Sequence, residues 1–304
     1  MDLLTGFTTI LVVIGAGAAL AHVGVVDQRA QRTLGEVAFF VATPALMLVT
    51  ISGVTVGRDT GVNVVASAVA LLAAFTVYAV VSGLVWRNDG GDVVIGALVS
   101  SYVNAGNLGI AVAAYVVGDT AVVVPTLLVQ ILVVQPLALA YLDRRTGGRA
   151  DARATVRRLA SNPLTIGSVV GLVLALTGWT LPAVVDQPVR LLAGLAIPAM
   201  LLSYGAALRL SPPLGRAGHN REVVLATATK LALMPLVAWA VGSLGGLEDR
   251  ALLGVVITAA LPSAQNIFLH ATRYRTGEDV AREVVLVTTL LSLPVALLVA
   301  LLLG

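Results

Sequence analysis

Apolar runs of about twenty residues, the length a helix needs to cross a hydrocarbon layer roughly 30 Å thick, recur from one end of the chain to the other with short polar gaps between them. The pattern predicts spans at about 3–22, 34–52, 62–86, 93–117 and 121–142, and again at about 162–178, 189–208, 222–244, 251–272 and 280–303. The gaps are turn-rich, as in Thr180 to Pro188, and too short for a soluble domain. The first run lacks a basic leader, follows Asp2 and precedes further spans, so it is read as a helix and not as a secretory signal.

Composition agrees with this reading. The chain is 58% hydrophobic and 12% charged with a mean hydropathy of +0.96, against about 25% charged residues in soluble domains. There is no cysteine, which excludes disulfides, thiolate metal sites and cysteine nucleophiles. A net charge of +3 gives no footprint for nucleic acid, and no cofactor motif is present.

The basic residues instead report orientation, because cytoplasmic loops are enriched in them. With the loop 143–161 inside, fifteen of the nineteen Lys and Arg residues fall on the inner side, and Arg58, Arg190 and Arg250 on the outer. Both termini are then extracytoplasmic, and a miscounted span would scramble the split. The remaining basic residue, Lys230, is the one charge expected at mid-depth.

Two echoes point to a repeat. Ala42-Thr-Pro44-Ala-Leu-Met-Leu48 in the second span matches Ala196-Ile-Pro198-Ala-Met-Leu-Leu202 in the seventh, and Asn107 with Gly118-Asp119 matches Asn266 with Gly277-Glu278. The halves are 1–142 and 162–304, joined by the basic linker 143–161. Five spans per copy is an odd number, so the second copy enters the membrane inverted, an arrangement common in secondary transporters.

The candidate chemistry sits in the fourth and ninth spans. Ser100-Ser101-Tyr102-Val103-Asn104-Ala105-Gly106-Asn107-Leu108-Gly109 and Pro262-Ser263-Ala264-Gln265-Asn266 both break helix at mid-span. Pro262 removes a donor, and Gly106 and Gly109 weaken helix. Broken backbone at membrane depth is tolerated only inside protein or beside a watery cavity, which places a binding site there. A restarted half-helix presents free N–H groups to a carboxylate, assisted by Asn104, Asn107, Asn266, Ser263 and Gln265. The competing reading is that both clusters are kinks and close packing.

Lys230 admits two roles: pairing with an anionic substrate, or neutralising the negative ends of the first half-helices. Gln130 and Gln135, five residues apart, are predicted on different faces, so that only one need reach the cavity, and interhelical hydrogen bonding would equally explain them. His270 is either a proton site or structural. No carboxylate lies mid-span, which disfavours a carboxylate-coupled cation exchanger, and neither a nucleophile–base pair nor a metal cluster supports an enzyme.

At these residues the chain resembles the auxin efflux carrier family, which includes plant PIN carriers and bacterial permeases for malate- or malonate-like acids. Ser101-Tyr-Val-Asn104-Ala-Gly-Asn-Leu-Gly109-Ile is similar to the plant pattern Ser-Leu-Pro-Asn-Thr-Leu-Val-Met-Gly-Ile, and Leu127-Leu-Val-Gln130-Ile-Leu-Val-Val-Gln135 to Leu-Met-Val-Gln-Ile-Val-Val-Leu-Gln. Val103 and Ile267 stand where the plant carriers have crossover prolines, and Lys230 where they have arginine.

The resemblance implies an all-α membrane protein, ten transmembrane helices in a 5+5 inverted repeat with interrupted, crossing helices 4 and 9. It further implies helices 1, 2, 6 and 7 as a scaffold, helices 3–5 and 8–10 as a moving transport domain, and a homodimer in the plasma membrane. The expected function is alternating-access transport of small organic anions. The alternative is a sodium-coupled organic-anion symporter of bile-acid-transporter-like fold, with the amide-rich breaks coordinating Na⁺.

Overall fold

The computed structural model describes residues 3–53, 58–145, 157, 161–210 and 218–303, and for residues 3, 4 and 107 the backbone alone. Among the described residues the chain is helical, with one isolated antiparallel bridge between Val103 and Ser263. Most of the basic linker 143–161, including Arg149, Arg153 and Arg158, lies outside the described residues, as does Arg216.

Seven described helices are long and apolar enough to cross a membrane: Thr5–His22, Gln28–Ser52, Arg58–Val85, Thr120–Arg145, Ala183–Leu210, Asn220–Leu244 and Glu278–Leu303. The other three predicted spans differ for physical reasons. Pro163–Thr177 is a single helix of 15 residues, about 22 Å long at 1.5 Å per residue. The fourth and ninth are each two pieces. Gly90–Ser101 is separated from the helical turns 105–117 by Tyr102, Val103 and Asn104, and Asp249–Ala260 from Gln265–Tyr274 by 261–264.

Local chemistry sets these ends. The Asp27 carboxylate accepts from the Ala30 N–H at 2.7 Å at the start of Gln28–Val37. Asn162 does the same for Leu164 at 3.0 Å, with Pro163 in the first helical position, where no donor is lost. Leu261 is extended, ψ 158°, because the ring of Pro262 disfavours helix at the residue before it.

The chain divides into two compact units. One comprises Met1–Gly57, Gly106–Val124 and Arg153–Pro212. Within it Leu3–His22 packs along Ala183–Leu210, and Thr43–Ser52 along Pro163–Thr177. A Cβ at Gly17 would strike the Leu202 backbone, and one at Gly205 the Ile14 carbonyl. Lipid supplies no hydrophobic force between helices, so dispersion at such close backbone contacts holds them together.

The other unit comprises Arg58–Ala105, Pro125–Ala152 and Pro213–Gly304. Arg58–Val80 packs on Gly90–Ser101 and Met234–Leu244, and Glu278–Leu303 packs on Asp249–Ala260 and Gln265–Tyr274. Tyr78, Ile95, Leu98, Val99, Ile267 and Val284 belong to its core. Leu84, Val85 and Leu298 face outward, a disposition suited to lipid and not to water. Three π-helical turns interrupt its helices, at Val81–Val85, Gln130–Val134 and Thr229–Leu233.

Candidate functional site

The two breaks meet. Their extended residues pair backbone to backbone, the Asn104 N–H donating to the Pro262 carbonyl at 2.8 Å and the Ala264 N–H to the Tyr102 carbonyl at 3.0 Å. Val103 and Ser263 sit opposite each other between these bonds. Four residues of strand-like pairing thus replace the helical bonds that each break gives up.

Side chains satisfy several of the other peptide groups at the junction. Gln130 grips the Val103 peptide from both ends: its Oε1 accepts from the Val103 N–H at 2.6 Å and its Nε2 donates to the Val103 carbonyl at 3.1 Å. The Ser263 N–H donates to the Thr288 hydroxyl at 3.1 Å, and the Ser263 hydroxyl donates to the Val99 carbonyl in the last turn of Gly90–Ser101. Ser100 and Ser101 donate to the Ala97 carbonyl at 2.9 and 2.7 Å.

The matching end of Asp249–Ala260 is held by a buried lysine. Lys230, fully buried, donates from Nζ to the Ala259 carbonyl at 2.7 Å and lies 3.4 Å from the Met234 sulfur. A cation suits this place, since the last carbonyls of a helix lack intrahelical donors and carry the negative end of its dipole. The π-helical turn Thr229–Leu233 holds Lys230.

Gln130 and Gln135 depart from expectation. A regular helix would set them on different faces, but the Gln135 N–H bonds to the Gln130 carbonyl across the π-helical turn Gln130–Val134. Bonding from i to i+5 stacks residues five apart, and both amides reach the first break. Gln135 Oε1 accepts from the Tyr102 hydroxyl at 3.0 Å, and its Nε2 lies 3.4 Å from His270 Nε2. The Asn266 side chain also interacts with the Tyr102 hydroxyl.

Against these bonds two amide atoms stand out. Asn104 Nδ2 and Asn266 Oδ1 are buried and have no hydrogen-bond partner. A buried polar atom without a partner costs about 1–3 kcal/mol. Gln265–Tyr274 starts at the same point, following extended Ala264, with no side-chain cap on its first turn. Asn107 lies beyond Gly106 in the π-helical stretch Ala105–Gly109, in the first unit's part of the chain, and its side chain is outside the described residues.

Of the residues read from sequence, Asn104, Asn266, Gln135, Gln130 and Ser263 gather at the junction, Gln130 and Ser263 with their polar groups engaged by backbone. Gln265 opens the restarted helix, and Lys230 holds the end of the preceding one. Tyr102 and Thr288 were not singled out. Tyr102 lies inside the quoted motif, whereas Thr288 is one of two adjacent threonines in an apolar span and gives no signal of its own. Among the described residues no group of three or more His, Cys, Asp or Glu is placed to hold a metal.

A family model described as membrane transport protein matches residues 3–300. A Rhizobium meliloti (strain 1021) protein that carries the provisional name malonate transporter is 27% identical over 267 residues, 83% of this chain and 81% of its own. Auxin efflux carrier component 3a of Oryza sativa subsp. japonica is 28% identical over 152 residues, and component 4 of Arabidopsis thaliana 27% over 152 residues. Each plant alignment covers 49% of this chain and 24% of the plant protein.

Proposed function

Because the chain belongs to the membrane transport protein family, that of the auxin efflux carriers, and is a multi-pass membrane transporter and not an enzyme, we propose that it carries small organic anions by alternating access. The observation that carries the substrate class is the junction of the two breaks. It leaves an amide donor, Asn104 Nδ2, buried without a partner beside the uncapped start of Gln265–Tyr274. A donor retained at that cost, next to the positive end of a helix, suits a carboxylate.

In this reading Asn104 and Asn266 contact the substrate, with Gln265 and Gln135 at the same site. Gln130 and Ser263 hold the junction, and Lys230 stabilises the end of Asp249–Ala260. The malonate name of the bacterial relative favours a short dicarboxylate over an auxin-like acid, since the plant alignments cover only half of the chain.

The finer architecture of the proposal is ten spans in a 5+5 inverted repeat. Seven continuous helices, one short helix and two broken ones support the count. A division into a scaffold of spans 1, 2, 6 and 7 and a moving domain of spans 3–5 and 8–10 is supported by the grouping of 1–57 with 153–212. The residues 106–124 fall with the first group, so the fourth span is shared. An elevator-like movement, a homodimer, plasma-membrane residence and extracytoplasmic termini complete the proposal.

The test is uptake of radiolabelled malonate and other short acids into liposomes holding the purified protein. Asn104→Ala and Asn266→Ala are expected to lose at least about tenfold in uptake, the worth of a hydrogen bond to a charged group, while remaining folded by thermal unfolding. Parental uptake in both variants would refute the site. A sodium gradient is expected to leave uptake unchanged, and dependence on it would select the sodium-coupled symporter instead.

A further inference from the structure

The junction lacks two hydrogen bonds of opposite polarity, and that pair describes a ligand more closely than charge alone does. We infer that the substrate is a short acid with a single carboxylate and a hydrogen-bond donor beside it, as in the monoanion of a dicarboxylic acid, and that Asn266 reads the donor. The inference rests on the anion-carrier reading above and narrows it.

The two orphaned atoms are complementary. Asn104 Nδ2 can only donate and Asn266 Oδ1 can only accept, and both are buried with no partner. Tyr102 is extended and Asn104 follows it by two residues across the Val103 bridge, so their side chains leave the same face of the chain. Asn266, in the first turn of Gln265–Tyr274, meets the Tyr102 hydroxyl. Both orphans therefore serve one face of the junction.

Neighbouring groups do not close the pair. Tyr102 donates its hydroxyl hydrogen to Gln135 Oε1 at 3.0 Å, so that hydrogen is not offered to Asn266 Oδ1. Gln130 is engaged at both ends of the Val103 peptide, and the Ser263 hydroxyl donates to the Val99 carbonyl.

A fully ionised dicarboxylate fits this face poorly. It offers acceptors alone, so it can satisfy Asn104 Nδ2 but sets oxygen against oxygen at Asn266 Oδ1. Its second charge also lacks an opposite one: the asparagine and glutamine side chains are neutral amides, and Lys230 is engaged by the Ala259 carbonyl. The uncapped start of Gln265–Tyr274 carries the equivalent of about half a positive charge, enough to offset part of one negative charge and not two. A monoanion with an O–H or N–H answers both orphans. Its carboxylate accepts from Asn104 Nδ2 and the helix start, and its donor bonds to Asn266 Oδ1. The proton that makes an acid monoanion suitable belongs to the substrate.

Competition against radiolabelled malonate uptake, with the full chain in liposomes, tests this with two probes of equal charge. Malonamate carries a carboxylate and an amide N–H, whereas monomethyl malonate carries a carboxylate and an ester with no donor. Both are used at one pH at which each is a monoanion, so that titration of His270, which reaches the junction through Gln135, does not distinguish them. In the parent, malonamate is expected to inhibit at about tenfold lower concentration than the ester, the cost of leaving a buried acceptor without its donor. Asn266→Ala should bring that ratio close to one, and Asn104→Ala should weaken both probes alike and keep it. Should Asn266→Ala not fold by thermal unfolding, the ratio in the parent decides. A ratio near one in the parent, a ratio unchanged in Asn266→Ala, or one lost in Asn104→Ala would each overturn the inference. Malonate uptake inhibited equally by both probes would leave the anion-carrier reading standing and remove the donor requirement. If the parent neither carries malonate nor binds either probe, the substrate reading fails and this inference fails with it.

Discussion

Lys230 and Gln130 are the residues on which the junction depends most directly. Lys230→Met removes the donor to the Ala259 carbonyl and leaves it buried in an apolar setting, for an expected loss of about 1–3 kcal/mol. Lys230→Arg keeps a cation but must fit a larger head into a fully buried place. Thermal unfolding in detergent should rank the parent above both variants. Gln130→Leu is expected to cost more than the loss of one bond, since it strips both the N–H and the carbonyl of Val103. Gln130→Glu restores only the acceptor and should fall between the parent and Gln130→Leu in the same measurement.

At the scale of the element, helices here end or bend where donors run out. Pro262 dictates the second break and was readable as such, whereas the first break has no proline and is held open by Gln130 and by pairing with the second. That pairing had no signature in the sequence, because backbone donates and accepts whatever the side chain. The π-helical turn at Gln130–Val134 was equally hidden, and it is why two glutamines expected on different faces act at one place. Glycine at helix contacts was visible as composition only. Gly205→Val places a branched side chain against the Ile14 carbonyl, and overpacking of this kind costs about 1–3 kcal/mol. A lowered unfolding temperature, with less effect from Gly194→Val, where a Cβ meets nothing, would check that close approach.

For the whole molecule, the apolar runs announced a membrane protein, and the motif in the fourth span announced its family. The seven continuous helices came directly from run length. What hydropathy could not separate was a continuous span from two half-helices end to end, since both give the same apolar run; Pro262 marks the second split, whereas Gly106 and Gly109 lie in the helical turns that follow the first. The arginine asymmetry rests partly on Arg149, Arg153, Arg158 and Arg216, residues outside the described chain. The division into two units needed contacts between segments far apart in sequence, which no single stretch encodes.

The bridge between Val103 and Ser263 has a consequence for how such a carrier can diversify. Its two hydrogen bonds run between main-chain atoms of Tyr102, Asn104, Pro262 and Ala264, so they survive exchange of the side chains at three of those four residues. If Asn104 contacts the substrate as proposed, mutation there can redraw the ligand preference while the splice that joins the half-helices stays intact. Frame and selectivity are inherited separately, and a new substrate needs no new fold.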